Sequence, residues 1–445
     1  MSEKIINIYG AGLAGCEAAW QAAKLGVKVN LIEMKSKKFT PAHTNENFAE
    51  LVCSNSLRSD STTNAVGLLK EELRILGSLI MEAADATRVP AGGALAVDRV
   101  KFSEYITQKI KNHPNITVVA QEADGVDTEQ ISVIATGPLT SGKMADFIRE
   151  KLGFEGLHFF DAAAPIVDAE SIDMNIAFKA SRYGKGDADY INCPMNKEQY
   201  DAFYDALISA REAELHDFDR EAQKKLTVFE GCMPVEVMAK RGYDTLRYGP
   251  LKPVGLEHPE TGESYYAVVQ LRKENNEGTM YNLVGFQTHL AFPEQKRVFS
   301  MIPGLENATF LRYGVMHRNT YLNSPQYLNA DYSARSFPNV YFAGQMTGVE
   351  GYIESCASGF VAGINATARV NGEDPVIFDD ATVIGAMADY ISRGGTGKFV
   401  PMNANFGIVR PLGYKVKGGK DAKNAVIAER ALSLIRGFAA KQETK

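Results

Sequence analysis

Gly10, Gly12 and Gly15 stand in the spacing G-x-G-x-x-G, and Glu33 follows 18 residues after the last of them (33 − 15 = 18). Glycine at these positions has a chemical use: Gly10 permits a tight turn, Gly12 lets the backbone approach a pyrophosphate, and Gly15 lets a helix pack close to a strand. Ala11, Leu13 and Ala14 complete the cradle, where a helix N-terminus offers free amides and a positive dipole end. A carboxylate at Glu33 accepts hydrogen bonds from ribose hydroxyls and repels a 2′-phosphate, which favours FAD or NAD over NADP. A similar glycine-rich turn serves S-adenosylmethionine enzymes, and such a turn can also stand without a ligand. A second chemical feature is the thiol of Cys53 in Glu50-Leu-Val-Cys53-Ser-Asn-Ser-Leu-Arg58, set among serines, an asparagine and one arginine. That stretch has no clean period and reads as a loop or a helix start with scope for chemistry.

The elements around the glycines are those such a cradle needs. Residues 5–9 are β-prone, residues 16–25 carry alanines at helical spacing before Gly26, and residues 27–32 form a second strand. Residues 131–138 read as a buried strand ending in Ala-Thr-Gly-Pro. The strand Val340-Tyr341-Phe342 runs through Gly344 and Gln345 towards Gly351 and Tyr352, where another helix begins. Its N-terminus would face the same cofactor from the other side. The expected fold is α/β, a two-dinucleotide-binding-fold (Rossmann-like) FAD domain made of residues 1–150 and 291–445, with an inserted α/β domain over 151–290. Residues 62–84 read as one helix, 88–99 as a loop around Gly92-Gly93, and 102–110 as a helix. Within the insertion, Tyr200, Phe203, Tyr204, Leu207 and Ile208 mark an amphipathic helix between strands near 176–180, 265–271 and 281–286.

At 445 residues the chain exceeds what one core usually serves. Its composition, 45% hydrophobic and 23% charged, is that of an ordinary soluble protein. It contains no apolar run of about 18 residues, and Met-Ser-Glu-Lys leads straight into the first strand, so the expectation is a cytoplasmic protein without signal peptide or membrane span. Five cysteines without C-x-x-C or zinc spacing indicate neither a disulfide framework nor a metal site. A net charge of −6 does not announce a nucleic-acid binder, so an RNA substrate would require basic residues gathered on one face. Two basic stretches exist: Lys179, Arg182, Lys185, Lys240, Arg241, Arg247 and Lys252 in the insertion, and Arg410, Lys415, Lys417, Lys420 and Lys423, against the one acid Asp421, before a C-terminal helix. Each reads either as a solvated face or as a contact for a phosphate backbone.

Taken together, Tyr9-Gly-Ala-Gly-Leu-Ala-Gly15, Glu50-Leu-Val-Cys-Ser-Asn-Ser-Leu-Arg58, Arg88-Val-Pro-Ala-Gly-Gly-Ala-Leu-Ala-Val-Asp98, Phe229-Glu-Gly-Cys-Met-Pro-Val-Glu236 and Phe342-Ala-Gly-Gln-Met-Thr-Gly-Val-Glu-Gly-Tyr352 resemble the folate- and FAD-dependent tRNA (uracil-5-)-methyltransferases of bacteria. The likeness covers nearly the whole chain. The flavoproteins that modify the tRNA wobble uridine share the cofactor segments but carry a much longer C-terminal region. The resemblance implies transfer of a one-carbon unit from 5,10-methylenetetrahydrofolate to C5 of a T-loop uridine of tRNA, with FAD as redox cofactor and NADH or NADPH as its reductant. A close branch acts on a uridine of 23S ribosomal RNA, and that target stays open. It places the insertion against RNA and implies no membrane and no obligate protein partner.

Uracil C5 attacks a methylene donor only after a thiolate has added at C6. The resemblance thus gives Cys53 and Cys232 their roles: Cys232, in the inserted domain, attacks C6, while Cys53, near the flavin, removes the C5 proton or shields the flavin adduct; the reverse order is also open. Gly10, Ala11, Gly12, Leu13, Ala14, Gly15, Glu33, Gly344, Gln345, Gly351 and Tyr352 would hold FAD. Arg58, Lys240 and Arg241 are candidate RNA contacts. His289 reads either as a pterin-stacking residue or as a structural histidine.

Overall fold

The computed structural model describes residues 4–40, 42–154, 156–162, 164–184, 187–213, 233–275, 278–314, 316–394 and 399–443. A five-stranded parallel sheet forms the first layer, in the order Val340–Phe342, Ser132–Ile134, Ile5–Tyr9, Lys28–Glu33, Ile116–Ala120. The strand from the far end of the chain thus extends the sheet built by the first 120 residues. Ile6, Ile8 and Leu31 are fully buried in it, as expected of parallel strands covered by helices.

Helix Leu13–Lys24 and helix Tyr352–Asn371 cross in close contact over the sheet. A Cβ at Gly359 would lie 2.2 Å from the Ala14 carbonyl oxygen, and one at Gly363 would lie 2.7 Å from Ala18 backbone atoms. Only glycine permits that approach. The stretch 62–84 is two helices, Ala65–Ile75 and Leu79–Ala86, because Gly77 turns the chain at φ +74° and Ser78 caps the second helix through the Met81 amide. The stretch 88–99, expected as a loop, supplies strands Arg88–Val89 and Ala94–Val97, which join Ser56–Ser59 in a small antiparallel sheet. Its Gly92-Gly93 pair forms the turn between them, and helix Arg99–Lys111 follows under an Asp98 cap.

The inserted unit is a six-stranded antiparallel sheet, in the order Phe178–Lys179, Tyr190–Met195, Ala267–Lys273, Met280–Leu283, Ile166–Asp168, Phe310–Arg312. Helix Lys197–Ile208, started by an Asn196/Gln199 capping box, buries Tyr200, Phe203 and Leu207 against it. This second core runs past residue 290. Val298, Phe299, Ile302 and Leu305 pack into it, so helix Phe292–Phe299 and strand Phe310–Arg312 belong with the insertion rather than with the cofactor domain. The apolar face of the 292–299 helix, too short to reveal its partner in sequence, accounts for the difference. Two antiparallel strands, Gly156–Ala162 and Met316–Leu322, carry the chain out of the first unit and back. Among the described residues no helix is long and apolar enough to cross a membrane.

Candidate active site

A cleft of about 1120 Å³, counting its open mouth, runs along the C-terminal ends of the parallel strands. It is lined by Gly10, Ala11, Gly12, Leu13, Ala14, Glu33, Gly344, Gln345 and Tyr352, which the sequence pattern had scattered over more than three-quarters of the chain. Gly15 lies behind the turn: a Cβ there would sit 1.8 Å from the Gly10 carbonyl oxygen, whereas a Cβ at Gly12 would meet nothing within 4 Å. The open side of Gly12 is therefore free for a ligand. No side chain caps helix Leu13–Lys24 or helix Tyr352–Asn371, which leaves their first amides to a ligand or water. The Glu33 carboxylate accepts hydrogen bonds from the Ala11 amide at 2.6 Å and the Lys35 amide at 2.9 Å, which fixes it at the rim. These residues fit a dinucleotide: amides and an open glycine for a pyrophosphate, and a carboxylate for a ribose.

A second cavity, about 1030 Å³, opens between the two units and shares Gln345 and Tyr352 with the first. Cys53, Ser54 and Arg58 line one side and Arg272, Asn282 and Gln287 the other. The Cys53 loop is held from below by the Tyr352 hydroxyl oxygen, which accepts the Cys53 amide at 2.8 Å and the Ser54 amide at 3.2 Å. Three arginines from separate elements hold the rest. Arg99 donates to the Leu51 carbonyl at 2.8 Å, Arg312 to the Val52 carbonyl at 2.8 Å, and Arg272 to the Ser54 hydroxyl at 2.7 Å and the Asn55 side chain at 3.2 Å. Glu274 forms an ion pair with Arg99 at 2.9 Å. Burial depresses the Arg272 and Arg312 pKa values, while Arg99, despite its burial, is raised by Glu274. The seam thus carries a surplus of positive charge beside the cavity, suited to stabilising an anion there. Burial also pushes the Tyr352 hydroxyl pKa far above its ordinary value, so it stays neutral.

Of this seam, Cys53, Arg58, Gln345, Gly351 and Tyr352 were singled out from sequence, Gly351 lining this cavity and not the first; Arg99, Arg272 and Arg312 were not. The available signal was Arg272 itself, a charge within the apolar run of strand Ala267–Lys273.

The remaining candidates lie in several places. Arg58 lines the second cavity with its side chain 43% exposed and meets the buried Glu354 at 3.3 Å. His289 is buried, with Glu212 at 2.7 Å from Nε2 and Glu236 at 2.7 Å from Nδ1. Those carboxylates raise its pKa to about 9 against the opposing effect of burial. An imidazolium engaged at both nitrogens and absent from the lining of either cavity is a bracing element of the inserted unit. Lys240 is exposed and bonded to Glu212 at 2.6 Å, and Arg241 follows it at the helix end. Cys232 lies outside the described residues, as do residues 229–231 before it. Cys16, Cys193 and Cys356 are fully buried, and burial pushes each thiol well up. Among the described residues no cluster could hold a metal ion.

The model of the Glucose inhibited division protein A family matches residues 5–374. The chain is 61% identical over 436 residues to the methylenetetrahydrofolate--tRNA-(uracil-5-)-methyltransferase TrmFO of Acetivibrio thermocellus, covering 98% of this chain and 99% of that one. It is 57% identical over 442 residues to the protein of the same name from Lactobacillus gasseri, covering 99% of each. Among solved structures, Aquifex aeolicus GidA in its form I crystal superposes with a TM-score of 0.69 at 18% identity, over 98% of this chain and 76% of that one. At that identity the likeness speaks for the fold alone, and it is the α/β architecture described above. On sequence, the chain belongs to the methylenetetrahydrofolate--tRNA-(uracil-5-)-methyltransferase family, within the wider glucose-inhibited division protein A family.

Proposed function

We propose that the chain methylates C5 of a uridine in RNA, the T-loop uridine of tRNA, with 5,10-methylenetetrahydrofolate as carbon donor and FAD, reduced by NADH or NADPH, as cofactor. The names of its full-length relatives support the reaction class. The observation that carries the reading is Tyr352, which lines both cavities and fixes the Cys53 loop at their junction. A cofactor in the first cleft and a base in the second would meet beside that thiol.

In this reading Cys232 adds to uracil C6, which makes C5 an enolate carbon able to attack the methylene carbon. Bound FAD, once reduced by NADH or NADPH, would supply the hydride that converts the transferred methylene to methyl as its bond to the folate nitrogen breaks and tetrahydrofolate leaves. Cys53 takes the proton from C5, and loss of the Cys232 sulfur from C6 restores the C5–C6 double bond. Arg272 and its neighbours offset the negative charge that gathers on the uracil oxygens during these steps. Gly12 and the two uncapped helix starts hold the pyrophosphate, and Glu33 the ribose. Val235, beyond the undescribed Cys232, donates its amide to the Gln287 carbonyl at 2.8 Å, and Gln287 lines the second cavity. The substrates assigned here make the cytoplasm the site of action.

The deciding assay gives the purified protein unmodified tRNA and 23S ribosomal RNA fragments with labelled methylenetetrahydrofolate and NADPH, then maps 5-methyluridine by mass spectrometry. Label at the T-loop uridine is expected. Label confined to the ribosomal fragment moves the target there, and label from S-adenosylmethionine rejects the folate reading. With 5-fluorouridine RNA, a covalent adduct that persists in Cys232→Ala and vanishes in Cys53→Ala reverses the order of the thiols.

A further inference from the structure

The basic stretch leading into the C-terminal helix Gly419–Glu443, with Lys415 and Lys417 ahead of it and Lys420 and Lys423 in its first turns, has no place in the reaction as derived. Lys415, Lys417, Lys420 and Lys423 are all exposed, and Tyr414 beside them is 65% exposed. Among the described residues none of these lysines is in an ion pair, whereas the nearby Arg410 meets Asp379 at 2.6 Å and Asp380 at 3.0 Å. The basic residues of the inserted unit are better matched: Lys240 is held by Glu212 at 2.6 Å and Arg247 by Asp244 at 2.7 Å. Lys415, Lys417, Lys420 and Lys423 are thus a run of exposed positive charge with Asp421 as the one acid among them, in a chain whose net charge is −6.

The stretch is tethered at both ends. Arg430 donates to the Pro411 carbonyl at 3.1 Å, and Asn424 donates to the Thr63 carbonyl at 2.9 Å. Thr63 follows by five residues Arg58, which lines the second cavity. Five residues span at most about 18 Å of extended chain, so Thr63, and with it Asn424 and the adjoining Lys423, lies within roughly that reach of Arg58. A nucleotide whose base entered that cavity would bring its neighbours' phosphates past them. The stretch also lies beyond residues 5–374, the part matched by the wider family's model, yet within the near-complete matches to the methyltransferase relatives.

We propose that Lys415, Lys417, Lys420 and Lys423 form a phosphate clamp for the RNA substrate, gripping its backbone outside the second cavity. The inference rests on the RNA reading given above. The clamp acts on affinity and not on chemistry: each lysine that neutralises a phosphate releases counterions and steepens the dependence of binding on salt. Tyr414 offers a face on which an unpaired base stacks.

The test uses the full-length protein with all four lysines changed to glutamate, and Arg436→Glu, an exposed basic site further along the same helix, as control. RNA binding is measured by filter retention between 50 and 200 mM salt, roughly the range over which phosphate contacts show. The expected result is a loss of affinity of roughly tenfold or more and a salt slope shallower by about three to four. Flavin content, melting temperature and the rate at saturating RNA should stay unchanged. Equal affinity and slope in wild type and quadruple variant would overturn the clamp and leave the RNA reading standing. A wild-type protein that binds no RNA would instead overturn that reading. Binding to phosphatidylserine vesicles, lost in the variant while RNA binding persists, would assign the patch to a lipid surface and overturn the RNA assignment.

Discussion

The Tyr352 hydroxyl oxygen accepts the amide hydrogens of Cys53 and Ser54 at 2.8 and 3.2 Å, across 299 and 298 residues of sequence respectively. One side chain at the start of a cofactor-facing helix therefore sets the height of the loop that bears the thiol. Tyr352→Phe keeps the ring and removes the acceptor, leaving two half-buried amide donors without it at a cost of about 1–3 kcal/mol. The expected outcome is normal flavin content and normal reduction by NADPH, with methyl transfer in single turnover slowed by roughly tenfold or more, as misplacement of a reacting group demands. Equal single-turnover rates in the two proteins would sever the link between this hydroxyl and the thiol's position.

The glycine turn divides into a folding position and a binding position. Gly15→Ala places a methyl 1.8 Å from the Gly10 carbonyl oxygen, and Gly12→Ala places one in open space. In flavin-free protein, urea unfolding should show Gly15→Ala destabilised by roughly 3 kcal/mol and Gly12→Ala changed by less than about 0.5 kcal/mol. Gly12→Ala should nonetheless lose most of its cofactor, read from visible absorbance. Full retention would remove Gly12 from the pyrophosphate path.

His289 supplies a pH dependence of known sign. Its pKa is about 9 in the folded protein, against about 6.5 for a free histidine. The folded state therefore binds the proton more tightly, so the stabilisation is complete below about pH 6.5 and is lost as pH rises through about 9. Its size is roughly 2–3 kcal/mol, given the burial of the pair. His289→Gln should be clearly less stable than wild type at pH 6 and close to it at pH 10, in urea titrations at both values. A gap that does not narrow with pH would mean that His289 contributes by packing and not by charge.

The parts of this site that were legible in sequence are local. The glycine turn works within six residues, and Glu33 sits one strand beyond it, so spacing alone exposes them. The seam around Cys53 was not legible, because Arg99 comes from a helix start of the first unit and Arg272 and Arg312 from two strands of the inserted sheet, and the three meet only in the fold. Arginine is usually a surface residue, and its burial leaves no mark on composition. Residues 88–99 were misread for a related reason: Gly92 and Gly93 signal a turn, but strand Ala94–Val97 has Arg88–Val89 on one side and, on the other, Ser56–Ser59, a partner remote in sequence. His289 likewise shows nothing of Glu212 and Glu236 in its own neighbourhood.

The parallel sheet and the helix pair above it draw one half of the cofactor cradle from the beginning of the chain and the other from residues 340–371. This has a consequence for the order of events during synthesis. Between Glu33 and Tyr352 lie roughly 320 residues, which a ribosome adds at roughly 5–20 per second, so the first half waits on the order of tens of seconds for its complement. Until then the exposed flank of strand Ser132–Ile134 has no neighbour and the alanine face of helix Leu13–Lys24 no cover. Acquisition of the dinucleotide is therefore a late step of biogenesis, following completion of the inserted unit, and the nascent amino-terminal half is the stage at which this protein most needs shielding from its neighbours.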